Sequence, residues 1–349
     1  METCDRISHG PEVGGAFYPI MNKGISEVAI EITKRCNLSC RFCIIKNNHI
    51  AERDVSFHTV KKIMDQMRSL GINIIRFTGG EPFLHPKIIE MLKYAKWRRF
   101  SVIVNTNASL LCHRDIEILE KNSDMVLVSL NSCSQCSEKS VSGNAGLWNQ
   151  RIANIARLCS SKIRFVVVGT VISKILIKKW VAHYNFMKKN RVRNWWFFRP
   201  TDCRDKIYSL SRNDLLLFID KIYEYNSRSL KLSIANAVPF CMGENIKKII
   251  SCIQEGYHCN GYSQLVWDAR GYFKPTYFIN INLGNTLRRA LVHSYMQKLK
   301  DNLAISFCKG CVLFEACLGG SRYWAKKRYK NYFAPDPLVD TRSSSFLKA

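Results

Sequence analysis

Thr33-Lys34-Arg35-Cys36-Asn37-Leu38-Ser39-Cys40-Arg41-Phe42-Cys43 and, about forty residues later, Thr78-Gly79-Gly80-Glu81-Pro82 are the two stretches on which the reading of this chain turns. The first places three cysteines in a C-x3-C-x2-C pattern directly after Val28–Ile32, a short apolar strand pattern. Zinc in a structural site takes four ligands, and no clear fourth accompanies these three; His49 lies nearby but nothing forces it. Three thiolates on a short loop suit an iron–sulfur cluster with one iron left open, and an open metal position implies chemistry at the metal. The second stretch follows the next strand pattern, Asn73–Phe77, and its paired glycines allow a close backbone approach.

Around these stretches strands and helices alternate. Helical spacing appears at Val60–Leu70, Pro86–Trp97, Arg114–Lys121, Leu147–Cys159 and Ile175–Lys189, and Ser211-x-x-Asp214 reads as a capping box opening a further helix to Ser227. Strand patterns appear at Ser101–Val104, Met125–Leu130, Ile163–Ile172, Asn194–Phe198 and Lys231–Ile234. About six βα units predict an α/β fold, a parallel sheet covered by helices. The alternation stops near Asn236–Phe240, where cysteine, glycine and asparagine become frequent. The expected organisation is an N-terminal extension (1–27), a core (28–235), a small cysteine-rich domain (236–329) and a tail (330–349).

The two stretches together, in this order and on these elements, resemble the radical S-adenosylmethionine (radical SAM) enzyme superfamily. The resemblance covers residues 28 to about 200 and implies a partial (β/α)6 barrel. It further implies that Cys36, Cys40 and Cys43 hold a 4Fe–4S cluster, with Phe42 as the aromatic before the last cysteine. S-adenosylmethionine would occupy the open iron, and Gly79, Gly80, Glu81 and Pro82 would meet its methionine amino group. Its ribose and adenine contacts would come from later strand ends, by position Asn105, Thr106 and Asn107, then Ser129 and Asn131. Where the family commonly has Thr-Asn-Gly and Ser-Leu-Asp, this chain has Thr106-Asn107-Ala108 and Ser129-Leu130-Asn131.

The C-terminal region resembles the SPASM auxiliary-cluster extension or its shorter twitch form. The matching residues are Cys259-Asn260-Gly261, Trp267–Pro275, Leu283-Gly284-Asn285 and Cys308-x2-Cys311-x5-Cys317. Thr276 and Ser321 stand where the full pattern has cysteines, and no cysteine follows Cys317. Cys259, Cys308, Cys311 and Cys317 remain, and four thiolates fit one auxiliary 4Fe–4S cluster; zinc tolerates the same spacing. Cys252 and Cys241 are the spare ligands should Cys259 not serve. Cys133-x2-Cys136 has no partner pair and reads as a packed or solvent-facing pair.

The chain has 349 residues, 53 Lys+Arg against 27 Asp+Glu, a net charge of +26 and 15 cysteines. Its apolar runs are too short to cross a bilayer, and residues 1–25 lack the apolar core of a secretory signal. A reducing, cytoplasmic location is therefore expected, with cysteines that bind metal or stay thiols. The basic stretches Lys96–Arg99, Lys188–Arg193 and Lys326–Lys330 read as solvated faces, since no nucleic-acid-binding module is recognisable. Arg199, at a strand end, could meet a carboxylate or phosphate.

The resemblance implies an oxidoreductase or maturase that cleaves S-adenosylmethionine to a 5′-deoxyadenosyl radical, fed by an external flavodoxin- or ferredoxin-type donor. Its substrate would be a peptide or a small molecule such as a sugar or aminocyclitol, undergoing oxidation, crosslinking or epimerisation. The stretch before Val28 is too short for a winged-helix leader module, so peptide maturation would call for a separate recognition protein or direct binding. The rival reading is a non-catalytic iron–sulfur or zinc protein that binds nucleic acid through its basic surface.

Overall fold

The computed structural model describes residues 24–44, 54–201, 205–253, 262–300 and 305–340. β1 (Glu27–Thr33) is buried along its whole length, as a central parallel strand covered on both faces must be. Six strands follow in chain order: β2 (Ile74–Gly79), β3 (Ser101–Thr106), β4 (Met125–Ser129), β5 (Phe165–Val171), β6 (Asn194–Phe198) and β7 (Lys231–Ile234). Each pairs in parallel with the one before it. The crossovers carry α1 (Phe57–Ser69), α2 (Ile88–Trp97), α3 (His113–Asn122), α4 (Gln135–Ser142), α5 (Trp148–Cys159), α6 (Lys174–Lys178), α7 (Trp180–Lys189) and α8 (Arg212–Tyr225). The capping box opens α8 as the sequence predicts: Asp214 N–H donates to Ser211 Oγ at 3.1 Å and Ser211 N–H to Asp214 Oδ2 at 2.8 Å.

Two expectations change. The single helix over 175–189 is two, because the backbone at Lys179 leaves the helical region (φ −102°, ψ 30°). α4, which follows Cys133 and contains Cys136, lies in a stretch to which the sequence pattern assigned no element. Val141 is its only large apolar residue, so it has almost no periodicity to read; it is fixed by Ser134 at its N-cap, Gly143 at its left-handed C-cap and the buried Glu138.

Beyond β7, α9 (Ile246–Cys252) packs on α8, and β8 (Gln264–Asp268) and β9 (Tyr272–Lys274) return to the sheet. β8 runs parallel to β1, and β9 antiparallel to β8, which gives the order β7-β6-β5-β4-β3-β2-β1-β8-β9. The helices α10 (Leu287–Val292), α11 (Ser294–Lys300), α12 (Phe314–Cys317) and α13 (Arg322–Tyr329) complete the C-terminal region.

The sheet has two unequal apolar faces. Alternation sends Val28, Ile30, Ile32, Ile75 and Phe77 outward into the large core beneath the helices. A second, small cluster of Ile74, Ile103, Met125, Leu127 and Val167 fills the inner, concave face. Charges on that face are paired. Glu27 accepts from Arg76 Nε at 2.5 Å and Nη2 at 3.1 Å, and Arg76 Nη1 reaches Asn105 Oδ1 at 3.0 Å. Glu31 accepts from Lys34 at 2.6 Å and Lys274 at 3.0 Å, and Lys274 also bonds Asp268 at 2.9 Å. The second network ties β8 and β9 to β1 and to the start of the cysteine loop.

Burial by itself would push the Asp268 carboxyl up. The bonds from Arg270 and the charges of Lys274 and Lys34 outweigh it and hold Asp268 well below the usual carboxylate range. The unfolded chain therefore takes up this proton first on acidification. The stabilisation from Asp268 is complete above about pH 4 and is lost as pH falls further towards the folded value. Denaturant melts between pH 7 and pH 2.5 should show a shallower acid loss in Asp268→Asn than in the parent. Equal slopes would remove Asp268 from the acid response.

Candidate active site

The carboxyl ends of parallel strands are where such sheets bind ligands. A cavity of about 350 Å³ opens there, walled by the cysteine loop, Gly79, Gly80 and the ends of β3 to β6.

The cysteine loop is pinned on both sides. Ser39 and Arg41 N–H groups donate to Ser142 and Val141 carbonyls at 2.8 and 3.1 Å, which fixes the loop to the end of α4. Asn37 Nδ2 donates to Ser109 Oγ at 2.7 Å, and Asn107 Nδ2 to Asn37 Oδ1 at 3.0 Å. Phe42 packs edge-on against Tyr208, centroids 5.4 Å apart. The three thiols lie within one another's electrostatic reach. Enclosure by protein, then the neighbouring Glu81 and Cys43, push Cys36 up to about 11 although it opens onto the cavity; burial, then Cys43 and Cys36, push Cys40 up to about 12. Unliganded, Cys36 and Cys40 are protonated at neutral pH, and binding metal would release their protons.

The glycine pair is required by contact. A Cβ on Gly79 would sit 2.2 Å from the Thr33 carbonyl oxygen, and one on Gly80 1.9 Å from that of Arg35. Gly80 N–H donates to Thr33 O and Glu81 N–H to Arg35 O, both at 2.8 Å, so this segment zips onto the root of the cysteine loop. Gly79 and Gly80 face the cavity. Glu81 and Pro82 are buried behind the wall. The Glu81 carboxylate accepts from Thr106 Oγ1 and Asn107 N–H, each at 2.7 Å, and caps the short turn Pro82–Leu84 through Phe83 N–H at 3.2 Å. Burial pushes its pKa up, against these bonds and the charge of Arg151.

Asn107, Ser129 and Asn131 all line the cavity. Asn131 Oδ1 is held by Val171 N–H at 2.6 Å, which ties the ends of β4 and β5. Two neighbours escaped the sequence reading. Arg151 of α5 is buried, donates to the Asn107 and Ser129 carbonyls at 3.0 and 2.6 Å, and pairs with Glu138 of α4. Glu138 also accepts from Ser132 Oγ. The available signal was an arginine on the apolar stripe of α5, in line with Ile155 and Leu158. Arg199 also reaches the cavity wall, but its guanidinium is bonded to Asp336 at 2.8 Å and lies over Trp324.

In the C-terminal region Cys308, Cys311 and Cys317 lie on consecutive turns linked by Cys311 N–H to Cys308 O at 3.1 Å. Cys259 falls outside the described residues, as does His49. Among the described residues no three His, Cys, Asp or Glu side chains close around one point tightly enough for a single ion. Four sulfurs sharing one zinc stand about 3.8 Å apart, whereas in a cluster each thiolate addresses its own iron. In each cysteine group three thiols would be available to address three irons of a cluster, one apiece.

The Radical SAM superfamily description matches residues 30–187. The antilisterial bacteriocin subtilosin biosynthesis protein AlbA of Bacillus subtilis is 32% identical over 155 residues, 44% of this chain and 34% of that protein. The GTP 3′,8-cyclase of Chlorobaculum tepidum is 32% identical over 110 residues, 31% of this chain and 33% of that one. The chain thus spans about a third of the length of these two relatives. Streptococcus suis SuiB, in a crystal structure bound to S-adenosylmethionine, shares the fold with a TM-score of 0.70 at 16% identity, over 91% of this chain and 78% of that one. SuiB bound to its precursor peptide SuiA gives 0.69. Among the described residues no helix is long and apolar enough to cross a membrane.

Proposed function

We propose, with the radical SAM domain of residues 30–187 as premise, that this protein is a radical SAM enzyme that modifies a peptide. The observation that carries the reading is the joining of three thiols and a glycine pair at the open end of one parallel sheet, beside a cavity. Cys36, Cys40 and Cys43 would hold a 4Fe–4S cluster, and S-adenosylmethionine would lie along Gly79, Gly80, Asn107, Ser129 and Asn131. When bound, these groups supply hydrogen-atom abstraction from an unactivated carbon.

The chain's own residues supply position and exclusion of water. Gly79 and Gly80 let the backbone come to the ligand, and Glu81 locks that backbone to the end of β3 from behind. Arg151 fixes the carbonyls at the ends of β3 and β4. Leu127, Trp196, Phe198 and Phe278 give the cavity apolar walls, which keep a reactive carbon centre away from solvent. The precursor peptide on SuiB favours a peptide over a sugar as the substrate class here. A separate electron donor belongs to the same reading.

Anaerobically reconstituted protein with dithionite and S-adenosylmethionine should release 5′-deoxyadenosine and methionine in equal amounts. Absence of both, together with steeply salt-dependent binding to DNA or RNA, would establish the non-catalytic rival.

A further inference from the structure

Cys308, Cys311 and Cys317 are three thiols, and one cubane cluster without an open iron takes four. The surroundings of Cys317 show where the fourth comes from. Cys317 is buried, and the backbone N–H groups of Phe240, Gly319 and Gly320 point at its sulfur, that of Phe240 at 3.4 Å. Leu318, Gly319 and Gly320 all have positive φ (51°, 70° and 73°), so the chain folds back around the sulfur in a run of N–H donors. Such donors favour a thiolate and are a recurrent feature of cluster cysteines. Gly319 is held close to a second sulfur: a Cβ there would stand 3.3 Å from Cys308 Sγ.

Phe240 comes from a different part of the chain, the turn Phe240–Met242 between β7 and α9. The next residue is Cys241. Its flanking residues Phe240 and Met242 are both buried, and Cys241 itself is half-buried. Asp340 N–H donates to Cys241 O at 2.9 Å, and Asp340 is itself paired with Arg212 at 3.0 Å. The Cys241 thiol lies within the electrostatic reach of Cys317, Cys308 and Cys311. The spare Cys252 is placed elsewhere. It is buried between α8 and α9 with its S–H towards Ile219 O at 3.7 Å.

We propose that Cys241 is the fourth thiolate of the C-terminal cluster, completing the set of Cys308, Cys311 and Cys317. This rests on the reading of those three as cluster ligands. The ligation is a simple exchange: the thiol proton leaves to solvent, the Cys241 Sγ–Fe bond forms, and a labile ligand leaves that iron, with no change of oxidation state. The cluster would then cross-link the segment after β7 to the C-terminal helices, and the docked residues around Asp340 would brace its far side.

The test uses the full chain with Cys36, Cys40 and Cys43 all replaced by Ala, so that any remaining iron is C-terminal. Anaerobic reconstitution with iron and sulfide should leave about four irons per chain and a reducible cluster signal by electron paramagnetic resonance. Adding Cys241→Ala should remove that signal and most of the iron, whereas adding Cys252→Ala or Cys259→Ala should keep both. Full iron and an unchanged signal in the Cys241→Ala protein would overturn the assignment, as would loss of the cluster in the Cys259→Ala protein. No iron in the starting variant would overturn the cluster reading itself, a different result. Should Cys241→Ala fail to fold, alkylation of the unaltered sequence decides. Cys241 should be protected in reconstituted protein and labelled after chelation, and labelling in both states rejects the proposal.

Discussion

Cys40→Ala is expected to abolish 5′-deoxyadenosine formation and to lower the iron content from about eight to about four per chain. Cys40 is the middle thiol of the loop in sequence, within electrostatic reach of Cys36, Cys43 and the Arg151 charge. Two thiols cannot hold three irons of a cubane, so the N-terminal cluster should be lost entirely. The substitution removes only one sulfur from a partly exposed loop, and the backbone bonds of Ser39 and Arg41 to α4 do not involve it. Melting of the apoprotein should therefore change by no more than about 1 kcal/mol. Cys112→Ala, at an exposed helix start remote from both clusters in sequence, is the matched control and should keep all the iron. Turnover of S-adenosylmethionine by the Cys40→Ala protein would reject the proposed mechanism.

The parts of this site that were legible in the sequence are those where chemistry or contact restricts the residue type. A cluster needs thiols at short spacing, and the zipper between Gly80 and Arg35 O admits no Cβ. The succession of β1 to β7 was legible for a related reason, since these strands and most of the helices between them, α4 excepted, carry their own period. What was hidden depends on residues far apart in the chain. The pairs Glu27–Arg76 and Lys274–Asp268 read as ordinary surface charge until folding buries them together, and Arg199, expected to meet a carboxylate or phosphate, finds its carboxylate in the distant Asp336. The return of β8 to the edge of β1 left no local mark either, because Gln264–Asp268 is short and fully buried, without alternation. Glu81 shows the limit within a recognised motif. Its type was legible, but its bonds to Thr106 and Asn107 make it the bolt behind the wall.

Arg151→Met should be the most destabilising single change near the site, by about 3–5 kcal/mol, because it strands a buried partner. Glu138 would keep only Ser132 as a donor from this network, and the carbonyls of Asn107 and Ser129 would lose theirs at the same time. Those two residues carry the proposed nucleoside contacts at the ends of β3 and β4. Arg151→Lys keeps the charge, but one ammonium cannot reach three acceptors set in different directions around a planar guanidinium, so it should recover only part of the loss. The pair separates charge from packing. In Glu138→Gln/Arg151→Met no buried carboxylate is left unpaired, and the double variant should be less destabilised than the sum of the two single changes. Denaturant unfolding of the four apoproteins reads this directly. Additive losses would mean that Arg151 and Glu138 act independently and that the arginine is not the brace of the strand ends.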